Sequence, residues 1–152
     1  MTEESINQAK EELKRVDHLI YVSLKYTRTC DIFKSIIERL INAINFMLEA
    51  VLKKIEQEGK IDKIPEQAGL RCNAIKEHVT DAKILEIVDF YLGLRKLNRS
   101  SFTRAREFRR HVTMTCTIDT GTVEINIDNI TERFNLTKQY LGDIISFLGV
   151  SE

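Results

Sequence analysis

The chain has 152 residues, of which 43% are hydrophobic and 30% charged, and its 23 basic and 23 acidic side chains give a formal net charge of zero. These values exclude a disordered or fibrous protein and favour one globular domain, residues 1–152, that is long enough to bury a core. No apolar run approaches the roughly 20 residues of a membrane-spanning helix, and the acidic start has no secretory signal pattern, so we expect a cytoplasmic protein with no membrane contact.

The first half of the chain has the apolar periodicity of long helices. Residues 3–26 repeat apolar side chains at spacings of three, four and seven, and residues 32–55 carry a wider stripe that predicts a central helix ending near Gly59. The β-branched threonines between them, with Thr29 as a candidate N-cap, predict a corner. Because no glycine or proline forces that break, one continuous helix over residues 1–57 is the alternative.

Two further helices are predicted before the composition changes. Pro65 suits the first turn of a third helix, and Thr80 or Asp81 can cap a fourth. Gly93, inside the apolar pattern of that fourth helix, suggests a close approach to a neighbouring element. Residues 98–101 predict a corner, and a short helix is then expected from Phe102 to His111.

At His111 the apolar period changes from 3.6 to 2, which predicts a β-hairpin over residues 112–127 with one buried face. Placing Ile118 opposite Val123 puts all its apolar side chains on that face. The tip, Asp119–Gly121, is also the triplet of aspartic proteases, but that class needs an all-β chain, and aspartate and glycine are what a tight turn requires.

A last helix is predicted over residues 129–149, with Asn129 as its cap and Glu132 at the third position. A lone hairpin is marginally stable, so we expect it to pack on helices or on another chain. The predicted fold is therefore mainly α: an antiparallel helical bundle with a C-terminal β-hairpin and a final helix.

Most of the charge asymmetry of the chain lies in residues 95–111, whose formal charge is +6 and leaves −6 for the remainder. Guanidinium groups suit phosphate oxygens, and His111 can exchange a proton near neutral pH. This combination predicts nucleic-acid binding and, if a base, an acid and positive charge act together, RNA cleavage without a metal. The basic residues of the stretch are Arg95, Lys96, Arg99, Arg104, Arg106, Arg109 and Arg110.

On a helix, Arg106 and His111 would lie about 140° apart and flank a groove rather than touch. The alternative is an arginine-rich helix that is merely solvated, or paired with acids such as Glu38 or Glu49.

The remaining candidate side chains favour no other chemistry. His18 and His78 lack a basic or nucleophilic partner nearby in sequence, so we expect surface or structural roles. Cys30, Cys72 and Cys116 form no Cys-x-x-Cys pair and no zinc-binding spacing with a histidine. We expect reduced, buried thiols, no metal and no other cofactor.

The run Arg106-Glu107-Phe108-Arg109-Arg110-His111, after two long antiparallel helices and a third helix started by a proline, resembles the HEPN domain. The signature of that family is an arginine and a later histidine with four to six residues between them; four residues separate Arg106 from His111 and six separate Arg104 from it. The resemblance covers residues 5–111, and more narrowly the chain looks like archaeal helical proteins of HEPN-like architecture. Glu107 takes the place of the polar residue that often follows the arginine.

The resemblance implies a metal-independent ribonuclease in which Arg106 binds the scissile phosphate and His111 is the acid or base, with Arg104 as an alternative to Arg106. It also implies a homodimer whose two Arg–His pairs line one cleft, and a nucleotidyltransferase-type antitoxin as a partner. Members without the motif are binding or adaptor modules. A non-catalytic protein-interaction module is therefore the competing prediction, and small-nucleotide binding in the same basic cleft is a third.

Overall fold

The first half of the chain folds into two helical segments joined by a corner, which confirms the predicted corner near Thr29. In the computed structural model, which describes residues 2–149, helix α1 (Thr2–His18) continues through a π-helical turn (Leu19–Ser23) into the short α2 (Leu24–Tyr26). Thr27 and Thr29 are extended, with φ of −137° and −123°, and end the helical path. The single continuous helix is therefore wrong.

The remaining elements are three helices, then three strands, then a last helix. They are, in chain order, α3 (Cys30–Gln57), α4 (Ala68–His78), α5 (Ala82–Arg99), β1 (Ser101–Ala105), β2 (Thr113–Ile118), β3 (Gly121–Ile125) and α6 (Ile127–Leu148). Among residues 2–149, no helix is long and apolar enough to cross a membrane.

Helix α3 is the centre of the fold, as its broad apolar stripe predicted. Most of its apolar side chains from Phe33 to Ile55 are fully buried, and it contacts α1, α4, α5 and α6. Two side-chain contacts fix its direction: Arg39 binds Glu12, and Lys53 donates to Ser5. Because the later residue of α3 meets the earlier residue of α1, the two helices are antiparallel.

The helix predicted from Phe102 to His111 is wrong. Ser101–Ala105 forms strand β1, which pairs antiparallel with β2, so the hairpin becomes a three-stranded sheet in the order β1-β2-β3. Residues 106–111 form turns. A helix of ten residues without an apolar face is marginal in water, whereas β2 offers a free edge to which a short strand can hydrogen-bond.

The predicted hairpin register is also wrong, by two residues. Ile118 lies opposite Gly121 rather than Val123, because Asp119 and Thr120 alone form the turn, and Gly121 has a φ of +137°. Since side chains alternate with a period of two, a two-residue shift keeps each side chain on its predicted face. The buried face is therefore confirmed for Met114, Cys116 and Ile125. Ile118 and Val123 are only half-buried, and Ile127, predicted to end the hairpin, begins α6.

Helices α5 and α6 each begin at a residue whose side chain caps the helix. The prediction named the right cap for α5 and the wrong one for α6. Asp81 caps α5 as predicted, accepting from the amides of Lys83 and Ile84. Helix α6 is capped by Asn126 and not Asn129; Asn129 sits at the third position and completes a reciprocal capping box.

Two predictions from single residues fail. Pro65 lies before α4 and not in its first turn, since that helix begins at Ala68. Gly93 marks no close approach, because a Cβ built there would meet nothing within 4 Å. The cysteine prediction is confirmed: all three thiols are free and buried.

Candidate functional site

The segment of residues 106–111, called the arginine loop below, docks against the corner between α2 and α3. The Phe108 amide donates to the Arg28 carbonyl oxygen at 2.6 Å, and the Cys30 amide donates to a Glu107 carboxylate oxygen at 3.0 Å. Both bonds join parts of the chain that are more than 70 residues apart. They hold the loop over the start of the central helix.

Glu107 acts as the cap of α3. The first amides of a helix lack intrahelical acceptors, and Thr29, at the N-cap position, provides no side-chain hydrogen bond. The Glu107 carboxylate supplies an acceptor instead, and a negative charge there also suits the helix dipole. The residue that fits the polar position of the HEPN signature therefore has a structural role here.

The arginine loop holds two residues in the left-handed region of backbone space. Arg106 has φ +54° and Phe108 has φ +66°, although neither is a glycine. Each costs about 1–2 kcal/mol relative to the right-handed conformation, and such strain persists only where surrounding contacts fix it. The two hydrogen bonds to the α2–α3 corner are contacts of that kind.

One open cavity of about 460 Å³ lies between this loop, the start of β2 and the start of α6, and is called the arginine cavity below. Its basic lining residues are Arg28, Arg106, Arg110 and His111; the others are Thr113, Glu124, Asn126, Ile127 and Asp128. The arginine and histidine of the sequence motif therefore line the same cavity, although the helix that was expected to carry them is absent.

His111 is exposed at this cavity while its backbone is anchored. The Thr113 hydroxyl donates to the His111 carbonyl oxygen at 2.9 Å, and the next residue, Val112, is fully buried. The exposed imidazole is consequently accessible to a ligand, from a turn whose backbone is held against the start of β2.

The arginines of the cavity form no ion pair in the part of the chain that the structure describes. Within residues 2–149, Arg28, Arg106 and Arg110 take part in no ion pair. The Nε of Arg28 is buried and has no hydrogen-bond acceptor among the described residues. Glu124 and Asp128 add two carboxylates to the lining, so the cavity combines three guanidinium groups with acid–base side chains.

Arg104, the alternative to Arg106, is engaged elsewhere. Its guanidinium lies 2.9 Å from an Asp31 oxygen and 3.3 Å from a Glu107 oxygen, and the hydrogen bond to Asp31 is the largest cause that raises the pKa of Arg104. It is not among the residues that line the arginine cavity. Arg104 therefore belongs to the contacts that hold the loop.

The other basic residues of the stretch are dispersed. Lys96 and Arg99 line a second cavity of about 290 Å³. Arg95 stacks over the Tyr91 ring, 5.8 Å from its centroid. Arg109 is exposed and lines neither cavity. Within residues 2–149, neither Glu38 nor Glu49 forms the ion pair with this stretch that the solvated-helix alternative suggested; Glu49 pairs with Lys53.

Sequence reasoning missed three charged residues of the arginine cavity: Arg28, Glu124 and Asp128. Arg28 precedes the motif by 78 positions and stands alone between two threonines, so no local pattern connects it with Arg106. The hydrogen bond from Phe108 to the Arg28 carbonyl makes that connection, and it depends on the tertiary fold.

The arrangement suits a phosphodiester. Guanidinium groups offer planar pairs of donors to phosphate oxygens, and a histidine with carboxylates across the same cavity can exchange protons. The chain matches no protein-family model, and comparison with curated proteins and with solved structures gave no match.

Proposed function

We propose that the arginine cavity binds an RNA phosphodiester and cleaves it without a metal ion, in a helical domain of HEPN-like type. The observation that carries the proposal is that Arg106 and His111 line one open cavity together with Arg28 and Arg110. None of the three arginines forms an ion pair within residues 2–149. A phosphate-binding site needs unpaired cations, and an RNA-cleaving site needs an accessible acid–base group beside them.

In the proposed reaction the 2′-hydroxyl attacks the adjacent phosphorus. A base takes the 2′-hydroxyl proton, the bond to the 5′-oxygen breaks, and an acid protonates that leaving oxygen, so the products are a 2′,3′-cyclic phosphate and a 5′-hydroxyl. His111 takes one of these roles and a carboxylate, Glu124 or Asp128, is available for the other. The guanidinium groups stabilise the charge of the pentavalent state.

The test is RNA cleavage in EDTA by the wild type and by Arg106→Gln and His111→Ala variants. Loss of the acid–base group is expected to slow cleavage by about 10²–10⁴-fold. Arg109→Gln is the matched control, because Arg109 belongs to the same loop but lies outside the cavity; it should cleave like the wild type. RNA left intact by the wild type, or cleaved equally fast by His111→Ala, would overturn the catalytic proposal.

Arg28→Gln provides an independent test from a remote part of the sequence. If the cavity is the site, this variant loses activity although it lies outside the arginine-rich stretch. Normal cleavage by Arg28→Gln would show that the cavity is not where the phosphate binds.

A homodimer is part of the proposal, on the HEPN resemblance and on the exposed edge strand β1, which is free to meet another chain. Sedimentation of a monomer at micromolar concentration would contradict it. The same resemblance supports a nucleotidyltransferase-type antitoxin as partner, and co-purification with such a protein tests this.

The competing proposal is a protein-interaction module without catalysis. It is favoured by large apolar side chains exposed near the α2–α3 corner: Tyr21 (53% exposed), Val22 (40%), Tyr26 (79%) and, in the docked loop, Phe108 (74%). If the wild type neither cleaves nor binds RNA at low salt, this account replaces the first.

A further inference from the structure

The second basic cavity lies at the opposite end of strand β2 from the arginine cavity. It is lined by Lys96 and Arg99, from the last turns of α5, and by Ser100, Thr117, Ile118 and Asp119. Neither Lys96 nor Arg99 takes part in an ion pair within residues 2–149. Two cations with free donors thus face one carboxylate, that of Asp119.

Strand β2 sets the distance between the two cavities. Thr113 lines the arginine cavity and Thr117 lines the second one. Four residues of extended strand, at about 3.3 Å each, separate them by about 13 Å. A stacked nucleic-acid strand advances about 3.4 Å per nucleotide, so the cavities are about four nucleotides apart.

The surface between the cavities is rich in hydroxyl groups. Thr113, Thr115 and Thr117 share the face of β2 opposite the buried Met114 and Cys116, since alternate residues of a strand point the same way. The antiparallel register adds hydroxyls of β1 on the same face, with Thr103 opposite Thr115 and Ser101 opposite Thr117. Within residues 2–149, this face carries no large apolar side chain. The Thr113 hydroxyl already donates to the His111 carbonyl, so the available donors are Thr115 and Thr117 on β2 and Thr103 and Ser101 on β1. Strand β3 adds the Thr122 hydroxyl opposite Thr117 and one carboxylate, Glu124, opposite Thr115.

We infer that Lys96 and Arg99 form a second phosphate subsite, and that an RNA strand bound in the arginine cavity crosses the hydroxyl face of the sheet to reach it. This inference rests on the proposed function, because it extends the ligand of the same site. The two cavities then select for length: a ligand shorter than about four nucleotides reaches one cavity only.

The test is fluorescence anisotropy with two uridine oligonucleotides, a 5′-phosphorylated dinucleotide and a decanucleotide, both 2′-O-methylated so that the attacking hydroxyl is blocked. The Lys96→Gln/Arg99→Gln double variant should bind the decanucleotide more weakly, with the slope of log K against log salt reduced by about 1–2 for the two cations lost. Its dinucleotide affinity should equal that of the wild type, which also shows that the variant is folded.

The matched control removes two exposed lysines far from the sheet, in Lys63→Gln/Lys83→Gln. Lys63 follows the far end of α3, about 40 Å from the end that meets the arginine loop, and Lys83 lies sixteen residues, about 24 Å, before Arg99 along α5. This control should leave the decanucleotide affinity and salt slope unchanged.

Three results would overturn the inference, and they are distinguishable. If the wild type binds neither oligonucleotide, the proposed function fails together with the second subsite. If the wild type binds and Lys96→Gln/Arg99→Gln keeps the wild-type affinity and slope for the decanucleotide, the subsite alone fails. If that variant weakens both oligonucleotides equally, the two cavities are not separate subsites.

Discussion

The Glu107 carboxylate accepts a hydrogen bond from the Cys30 amide at 3.0 Å, across 77 residues of sequence. One bond therefore caps the central helix and positions the arginine loop. The consequence is that the stability of α3 and the geometry of the cavity depend on the same side chain.

Glu107→Ala is expected to lower the free energy of unfolding by about 1 kcal/mol, the typical cost of a lost helix cap. Glu107→Gln should lose less, because an amide oxygen still accepts the hydrogen bond. Urea denaturation at pH 7 measures both. Glu66→Ala, which removes an exposed acid from the loop before α4, is the control, and an equal effect of Glu107→Ala and Glu66→Ala would contradict the capping role.

Phe108 allows the strain of the arginine loop to be tested. Its φ is +66° and its side chain is 74% exposed, so little apolar contact is lost on substitution. We expect Phe108→Gly to be neutral or stabilising, whereas Phe108→Val lowers the free energy of unfolding by about 1 kcal/mol relative to glycine, because left-handed geometry is costly for a β-branched residue. Thermal or urea unfolding of both variants decides the point; equal stability would show that the loop relaxes.

Substitution of Arg104 is expected to affect the stability of the fold, and substitution of Arg106 is expected to affect RNA binding. Arg104→Gln removes the contacts to Asp31 and Glu107 and should lower the unfolding midpoint slightly while leaving RNA affinity nearly unchanged. Arg106→Gln should leave the midpoint unchanged and weaken RNA binding by about 10- to 100-fold, the value of one hydrogen-bonded charge. The reverse pattern would assign the phosphate to Arg104.

Tyr140 is expected to make stability fall at alkaline pH. Burial, followed by its 2.7 Å hydrogen bond to Glu86, raises the pKa of Tyr140 above the ordinary value of 10.0. The phenol then ionises in the unfolded chain before it ionises in the folded one. Its contribution to stability is complete below about pH 10 and is lost as the pH rises towards the folded pKa.

Tyr140→Phe tests this sign directly. At pH 8 the variant should be less stable than the wild type by about 1 kcal/mol, the value of a typical hydrogen bond, and between pH 10 and 11 the gap should narrow. The buried thiols of Cys30 and Cys72, whose pKa values burial also raises, remain in both proteins and cancel in the comparison. Parallel stability curves across this range would contradict the account.

The sequence predicts the elements that depend on residues close together in the chain. The α3 stripe and the buried face of the hairpin follow from periodicity, and the structure has them. The corner also falls at Thr29 as predicted, although the Thr29 side chain makes no cap hydrogen bond. Strand β1 could not be predicted in the same way. Residues 101–105 form a strand only because β2 offers them an edge, and that edge is separated from them by the arginine loop.

The candidate site, too, could be predicted only in part from the sequence. Charge and spacing predicted that Arg106, Arg110 and His111 belong to a site, and these residues line one cavity. The reason differs from the predicted one, since a strained loop and not a helical face brings them together. Arg28 and Asp128 reach the cavity from the α2–α3 corner and the start of α6, contacts that no spacing in the sequence encodes.

The most direct test of the central claim is to follow the ring Cε1–H resonances of the three histidines by NMR while uridine 3′-monophosphate is added. His18 and His78 lie outside the arginine cavity and serve as internal controls. We predict that the His111 resonance alone shifts, with saturation, and that Arg106→Gln weakens the response. A His111 resonance that stays in place, or that moves no more than those of His18 and His78, would contradict the claim that this cavity binds phosphate.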